Sequence, residues 1–427
     1  MFKQYFKFIV RKLSRNRVYT VINIVGLSIA FSAAWLIYSH TSNEWNMDGY
    51  LKNSDNIYRV ITRYGDEDFW NCRTNTPFGP AAKRAFPEIV QVARYFQKDY
   101  RIKIKDDQDF TIEPKLAFVD PPFFDLFEIP VIQGKIDTTV FSWIVFTETS
   151  AKRYFNKENP IGKTVTIKDG INNRKKNIKC QVVAVIKDFP ANSTIQANII
   201  VDCRQGIPYF DAHRGNYSLY TYFHILPTAD LRAIEKKLPT IASNMPDDVN
   251  HYSHRLQPLK DIYFHSDHLR EDELLRGSQS LTYLLWSITI LILLLAAGNF
   301  LLIRIAQQDR DSSRFAIHKC YGASNKHLFY QLLGEIGLQT GVILLLSCIL
   351  TYGLHPYFIQ ILSPEHIYPF ELFNLSNFVF VGFICLIMGI ICSILYFHFK
   401  HHVSREGVRG MLQPKPQQIN LSKILTI

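Results

Sequence analysis

"VYTVINIVGLSIAFSAAWLIYSH", Val18 to His40, decides the fold: it carries no Asp, Glu, Lys or Arg. About 20 mainly apolar residues in a helix cross the hydrocarbon of a bilayer. A secretory leader has a shorter apolar core and a small-residue cleavage site, and no such site precedes "NEWNMDGY". The reading is a retained membrane helix over 18–40. Three further runs follow the same rule. Residues 281–303 are uncharged and stop at Arg304, 328–352 contain one acid, Glu335, and 376–399 close the set. The predicted architecture is an α+β membrane protein with four transmembrane helices, and a large extracytoplasmic α+β domain, 41–280, inserted between helices 1 and 2.

The chain has 427 residues, 47% of them hydrophobic, and a formal charge of +11. Its mean hydropathy is close to zero, which hides the split between apolar runs and one long polar block. The positive excess clusters beside the apolar runs, a mark of membrane topology rather than of a nucleic-acid face, and no nucleic-acid partner is expected. Lys3, Lys7, Arg11, Lys12, Arg15 and Arg17 precede the first run. Arg304, Arg310, Arg314, Lys319 and Lys326 lie between the second and third, and Lys400, Arg405 and Arg409 follow the fourth. Residues 353–375 have no Lys or Arg but carry Glu365 and Glu371. Positive charge stays inside, so both termini and 304–327 are expected to be cytoplasmic, with 41–280 and 353–375 outside. Phe2, Tyr5, Phe6, Ile9, Val10 and Leu13 recur at helical spacing opposite basic residues, which predicts an interfacial helix over 1–17 lying on anionic lipid.

The polar block mixes strand and helix signals. "NIYRVIT" and "KCQVVAVI" read as strands. "PFGPAAKRAFPEI" reads as a helix bounded by prolines, and "TADLRAIEKKLPTIASNM" has helical periodicity. "FNKENPIGKTVTI", Phe155–Ile167, ends a phosphate-loop pattern at Gly162-Lys163-Thr164, but the position that needs the first glycine is Lys157. A phosphate loop also needs a strand before it and a helix after it, and here a short helix precedes and a strand follows. The expectation is a structural turn, no nucleotide bound by this chain, no catalytic, cofactor or metal residues, and any ATP hydrolysed by a different subunit.

Other candidates are weaker in spacing. The histidines at 213, 224, 251, 254, 265 and 268 form no closed ligand set, "HSDHLREDE" included. Cys180 and Cys203 either pair in an oxidising compartment or remain thiols. Glu335 is the one acid of its run and sits near the interface, so a proton relay finds little support. Gly334, Gly337 and Gly341 make a small-residue face suited to close helix packing, or are ordinary membrane glycines. "RDSSRFAIHKCYGASNKHLFYQLLGE" is basic and reads as a short helix broken at Gly322, with Ser324 able to cap the next one. A broken helix of this kind is a docking candidate for a cytoplasmic partner.

These segments resemble the FtsX/MacB-type ABC transporter permeases. "RFAIHKCYGAS" is similar to their cytoplasmic signature, with Ile317, Lys319, Gly322, Ala323 and Ser324 matching. "FFDLFEIPVIQGK", "TETSAKRYFNKENPIGKTVTI" and "VVAVIKDFPANSTI" resemble the MacB-like periplasmic core domain. The resemblance implies a permease subunit of the bacterial inner membrane without its own catalysis. It would work with a cytoplasmic ABC ATPase and a second permease copy or half, and with a periplasmic or outer-membrane partner. ATP-driven motion would pass to the outer domain to export or extract lipoprotein, peptide or drug. A transmembrane regulator of an extracytoplasmic partner, such as a cell-wall hydrolase, is the alternative. ATPase coupling would fall on Arg314, Phe315, Ile317, His318, Lys319, Tyr321, Gly322, Ala323 and Ser324. Arg314 and His318 stand where the family usually has an acid and an arginine, which implies an altered ATPase groove. Residues 400–427 read as a cytoplasmic tail or as a linker to a second half.

Overall fold

A computed structural model of the chain describes residues 17–65, 68–104, 109–137, 142–168, 177–205, 219–243, 252–270, 272–306, 325–362, 372, 377–387, 389–391 and 394. The chain divides into two compact units, one over 43–279 and the other formed by the flanking sequence.

The flanking unit is helical. Helix α1 covers Arg17–Trp45, running past the expected end at His40. Among the described residues, three apolar helices are long enough to cross a membrane: Val18–Trp45, Gln279–Ile303 and Gly337–Leu362. The third belongs to a helix that starts at Asn325 and continues beyond the expected end at Tyr352, because "GLHPYFIQIL" adds no charge that would stop it. Pro356 lies inside it, as membrane helices tolerate. A shorter apolar helix, Asn377–Ile391, falls in the expected fourth run, whose remaining residues are described only at 394. The expected interfacial helix, 1–17, lies outside the described residues but for Arg17, and so does the whole of 400–427.

Unit 43–279 is built on a mixed sheet. Its strands are β1 Ile57–Tyr64, β2 Trp70–Asn71, β3 Ile89–Lys103, β4 Thr111–Val119, β5 Val131–Gly134, β6 Trp143–Thr147, β7 Thr164–Lys168, β8 Ile178–Ile186, β9 Ile199–Asp202, β10 Tyr220–Ile225, β11 Tyr252–Pro258 and β12 Leu269–Arg270. The order along the sheet is β12-β2-β1-β10-β3-β4-β9-β6-β8-β5, with β11 beside β1 and β7 bridging β3 and β8. Most neighbours are antiparallel, while β4/β9, β6/β8 and β12/β2 are parallel.

Alternation along each strand builds two cores from one sheet. Ala117 and Val119, Trp143 and Val145, and Ile200 pack on one face with Phe123, Phe124 and Phe127. Leu116 and Phe118, Ile144 and Phe146, and Ile199 and Val201 pack on the other with Phe155, Val165 and Ile167. A third cluster sets Phe78 and Ala82 of helix α2, Phe78–Ala85, and Ile234 and Leu238 of helix α5, Leu231–Ser243, against Val60, Val92 and Phe223. Between α2 and α5 come helix α3, Phe123–Leu126, and helix α4, Glu148–Phe155, whose Thr147 cap accepts the Ser150 N–H. The proline-bounded helix, the α5 periodicity and both strand readings agree with these elements. Helix α6 covers Gln279–Ala306 and helix α7 Asn325–Leu362.

Candidate functional site

At the phosphate-loop pattern the amides bond within the fold. The Gly162 N–H donates to Val182 O (2.8 Å), Lys163 N–H to Pro160 O (3.1 Å), and Val182 N–H to Lys163 O (2.9 Å). Gly162 holds φ +84°, a left-handed turn that favours glycine. α4 ends before the turn, and Thr164 opens β7 rather than a helix. The Lys163 ammonium pairs with Glu158. The Gly162 and Lys163 amides thus close a turn onto β8, the arrangement of a structural turn rather than of amides opening a helix.

Helices α1 and α7 meet through small hydroxyls. The single Ser347 Oγ proton is shared between Ile343 O (2.8 Å) and Ser28 O (3.2 Å), and Thr351 Oγ1 lies 3.1 Å from Ser32 Oγ. Ser28, Ser32, Ser347 and Thr351 are all buried. They stand four apart on each helix, hence on one face of each. Trp35 Nε1 donates to Leu372 O (3.2 Å), and Leu27, Phe31, Trp35, Phe300, Ile343 and Val381 fill the space around them. The expected packing glycines are in α7 but on another face. Gly334, Gly337 and Gly341 are exposed, and a Cβ on Gly337 or Gly341 would meet nothing within 4 Å among the described residues. Arg314, Phe315, Ile317, His318, Lys319, Tyr321, Gly322, Ala323 and Ser324, expected at the ATPase contact, lie outside the described residues.

The strongest side-chain constellation of unit 43–279 fastens the two segments by which the chain enters and leaves it. On the entering segment, Asp48 is buried at φ +55°. Its carboxylate accepts the Thr194 N–H (3.0 Å) and hydroxyl (2.6 Å), and its own N–H donates to Asn192 O (2.7 Å). Asn192 Nδ2 returns a bond to Asn46 O (2.8 Å). Burial pushes the Asp48 carboxyl up to about 6, partly opposed by the Thr194 donors. On the leaving segment, Asp272 forms an ion pair with Arg59 of β1 at 2.9 Å, both side chains fully buried. Arg59 also donates to Gln257 Oε1 (2.8 Å) and Ser266 Oγ (2.9 Å), so the guanidinium is held by three partners. Glu273 N–H donates to Tyr220 OH (2.7 Å), and Arg73 pairs with the Glu273 carboxylate (3.0 Å).

Tyr263 joins both segments. Its hydroxyl donates to Glu44 Oε1 (2.8 Å) and its carbonyl accepts the Gly277 N–H (2.9 Å). Its ring covers Gly277 so closely that a Cβ there would sit 2.1 Å from Cε1. The sequence reading missed Tyr263, Asp48, Arg59 and Asp272, since partners so distant along the chain leave no local pattern.

No disulfide joins Cys180 to Cys203. The Cys180 thiol is free and buried, and burial, with Asp202 adding, pushes it up to about 12. Among the described residues no group of His, Cys, Asp or Glu is arranged to hold a metal ion.

A mixed sheet-and-helix domain in a chain that also holds apolar helices of membrane-crossing length defines a membrane protein with one large domain outside its spans. Residues 20–241 match the model of the MacB-like periplasmic core domain, and 286–400 that of the FtsX-like permease C-terminal domain. The chain belongs to this family of FtsX/MacB-type ABC transporter permeases. Among solved structures it is similar to the periplasmic region of MacB from Actinobacillus actinomycetemcomitans, at 16% identity over 49% of this chain and 91% of that one, with a TM-score of 0.35. It is also similar to the extracellular domain of the noncanonic ABC-type transporter YknZ from Gram-positive bacteria, at 13% identity over 47% of this chain and 100% of that one, with a TM-score of 0.36. Comparison with curated proteins finds no match.

Proposed function

We propose that this permease works by transmitting motion rather than by lining a pore. A cytoplasmic ABC ATPase docks on 304–327 and supplies ATP hydrolysis from a separate subunit. Four spans, 18–40, 281–303, 328–352 and 376–399, carry the motion across the bacterial inner membrane, with both termini cytoplasmic. The domain over 41–280 moves outside and exports or extracts a lipoprotein, peptide or drug, with a second permease copy or half and a periplasmic or outer-membrane partner. The observation that carries this reading is the double fastening around Tyr263. A domain meant to move with its flanking helices needs its entry and exit segments fixed to its interior, and Glu44, Asp48, Asp272 and Gly277 are so fixed. Flexible linkers would let the domain lag behind the helices.

The test is co-purification of the chain from mild detergent, with identification of bound proteins. An ABC ATPase is expected, lost on Arg314→Glu. Cysteine labelling of intact cells is expected to reach positions within 41–280 and to miss 304–327. A chain that brings down a cell-wall hydrolase and no ATPase is a regulator instead, and labelling of 41–280 from the cytoplasmic side would overturn the topology.

A further inference from the structure

The three long apolar helices are not joined alike. α1 and α7 run in the same direction. Ser28 meets Ser347 and Ser32 meets Thr351, each pair 319 positions apart, and the His40 and Phe358 rings meet edge-on at 5.9 Å. One register therefore holds from Ser28 to His40, about 18 Å of helix. α6 runs the other way. Asn299 Nδ2 stands 3.9 Å from where a Cβ on Gly26 would be, and the Trp286 ring meets Tyr38 at 6.0 Å, so higher numbers on one helix meet lower numbers on the other.

Between α1 and α7 the contacts are directional and run both ways. The Ser28 hydroxyl donates to Ile343 O (3.4 Å), and the Ser347 hydroxyl reaches Ser28 O in return. The Ser32 and Thr351 hydroxyls bond to each other, and Trp35 ties α1 to Leu372 O, beyond the end of α7. Leu27, Phe31, Ile343, Leu344 and Cys348 share the apolar cluster around these bonds. Each bond fixes one position along the axis, and in hydrocarbon no water replaces a partner that moves away. α6 meets the same cluster through Phe300, with Leu293, Ala296 and Leu301 partly buried beside it. In its apolar stretch α6 is 11% buried, against 56% for α1. Apolar packing is non-directional, and helices held by it can shear past one another.

The helix ends give this asymmetry a use. α7 begins at Asn325, within the 304–327 segment proposed to receive the ATPase, and α1 ends at Trp45, just before Asp48. α6 begins at Gln279, just after Gly277 of the leaving segment. We infer that α1 and α7 form one rigid strut, which slides against α6 when the permease works. The inference rests on the reading of this chain as a transmitter of ATPase motion, and adds which helices carry that motion. Ser28, Ser32, Trp35, Ser347 and Thr351 are the positioning residues of the strut. Its slide displaces the entering segment of unit 43–279 relative to the leaving one.

The test is spin-label distance measurement on the full chain purified with its bound ATPase, without nucleotide and after trapping with ADP and vanadate. Labels carried on p-acetylphenylalanine leave the native cysteines untouched. Ile22, Val342 and Leu302 are exposed on α1, α7 and α6, and by the two registers lie near one level of the bundle. The Ile22/Val342 distance should hold within about 1 Å, while Ile22/Leu302 should change by about half a helical turn, roughly 3 Å. Ser32→Cys with Thr351→Cys, oxidised to a disulfide where the two hydroxyls now meet, should leave that change intact. With the ATPase bound, an Ile22/Val342 change as large as that of Ile22/Leu302 overturns the strut. So does a constant Ile22/Leu302 distance, or a disulfide that abolishes its change. A chain that brings down no ATPase overturns the transmission reading itself, and the strut with it.

Discussion

Tyr263, Asp48 and the Arg59–Asp272 pair lend themselves to single substitutions. Tyr263→Phe removes the donor to Glu44 while keeping the ring, and should cost about 1–2 kcal/mol, the usual penalty for a buried hydrogen bond lost on one side. Gly277→Ala drives a methyl into the same ring and should cost about 1–3 kcal/mol through overpacking. Denaturant unfolding of the full chain, followed by near-ultraviolet circular dichroism, reads both. Asp48 gives a pH dependence with a definite sign. Its carboxyl rises from the ordinary 3.8 to about 6 on folding, because burial penalises the charge. Between those values the folded chain holds a proton that the unfolded chain has lost, so stability is greatest below about pH 4 and falls as pH rises to 6. The contribution is on the order of 3 kcal/mol from a shift of about two units. Asp48→Asn should flatten that slope, and a parent whose stability does not fall across this window, once compared with the variant, contradicts the assignment.

At the scale of elements, the contact between α1 and α7 rests on hydroxyls rather than glycines. Ser347→Ala should lose only about 0.6 kcal/mol, typical of a hydrogen bond between membrane helices. Ser347→Leu should do more damage, since a large side chain forces apart two buried backbones. Gly341→Ala should be neutral within one chain, and loss of self-association in Gly341→Leu would show that the glycine face meets a second copy. Thermal melts and chemical crosslinking in detergent separate the two effects. What the sequence discloses at this scale follows from whether a signal is local. "NIYRVIT", "KCQVVAVI" and the proline-bounded α2 are readable because period and punctuation sit within a dozen residues. Ser28 and Ser32, like Ser347 and Thr351, stand four apart inside apolar runs and are just as local, but a serine pair in an apolar run is a weaker packing signal than GxxxG. The Tyr263–Glu44 bond joins residues 219 apart, and sheet neighbours such as β10 and β3 are far from consecutive, so no window on the sequence contains either. The helices outrun the expected spans for a related reason: charge marks where a bilayer span must stop, whereas a helix continues as long as its backbone is satisfied.

For the whole molecule, the proposed division of labour predicts that binding the ATPase and using its motion can be broken separately. The buried Arg59–Asp272 pair is the sharpest tool. Arg59→Met or Asp272→Leu alone strands a buried charge and should destabilise the domain by about 3–5 kcal/mol, whereas the double variant replaces the pair by apolar groups and should recover part of that loss, Gln257 Oε1 and Ser266 Oγ still lacking the guanidinium's donors. The recovered double variant would be folded, yet it would hold the leaving segment by shape rather than by an ion pair to β1. The expected outcome is that a cognate ATPase still co-purifies and still hydrolyses ATP, while export falls by about tenfold, equivalent to 1.4 kcal/mol of lost coupling. Arg314→Glu should give the opposite pattern, with a well-folded outer domain and no ATPase bound. The two variants therefore bracket the molecule from its two ends. If the double variant exports at the parental rate, motion does not pass through the Arg59–Asp272 fastening, and the entering segment, held by Glu44–Tyr263 and Asp48–Thr194, becomes the next link to break.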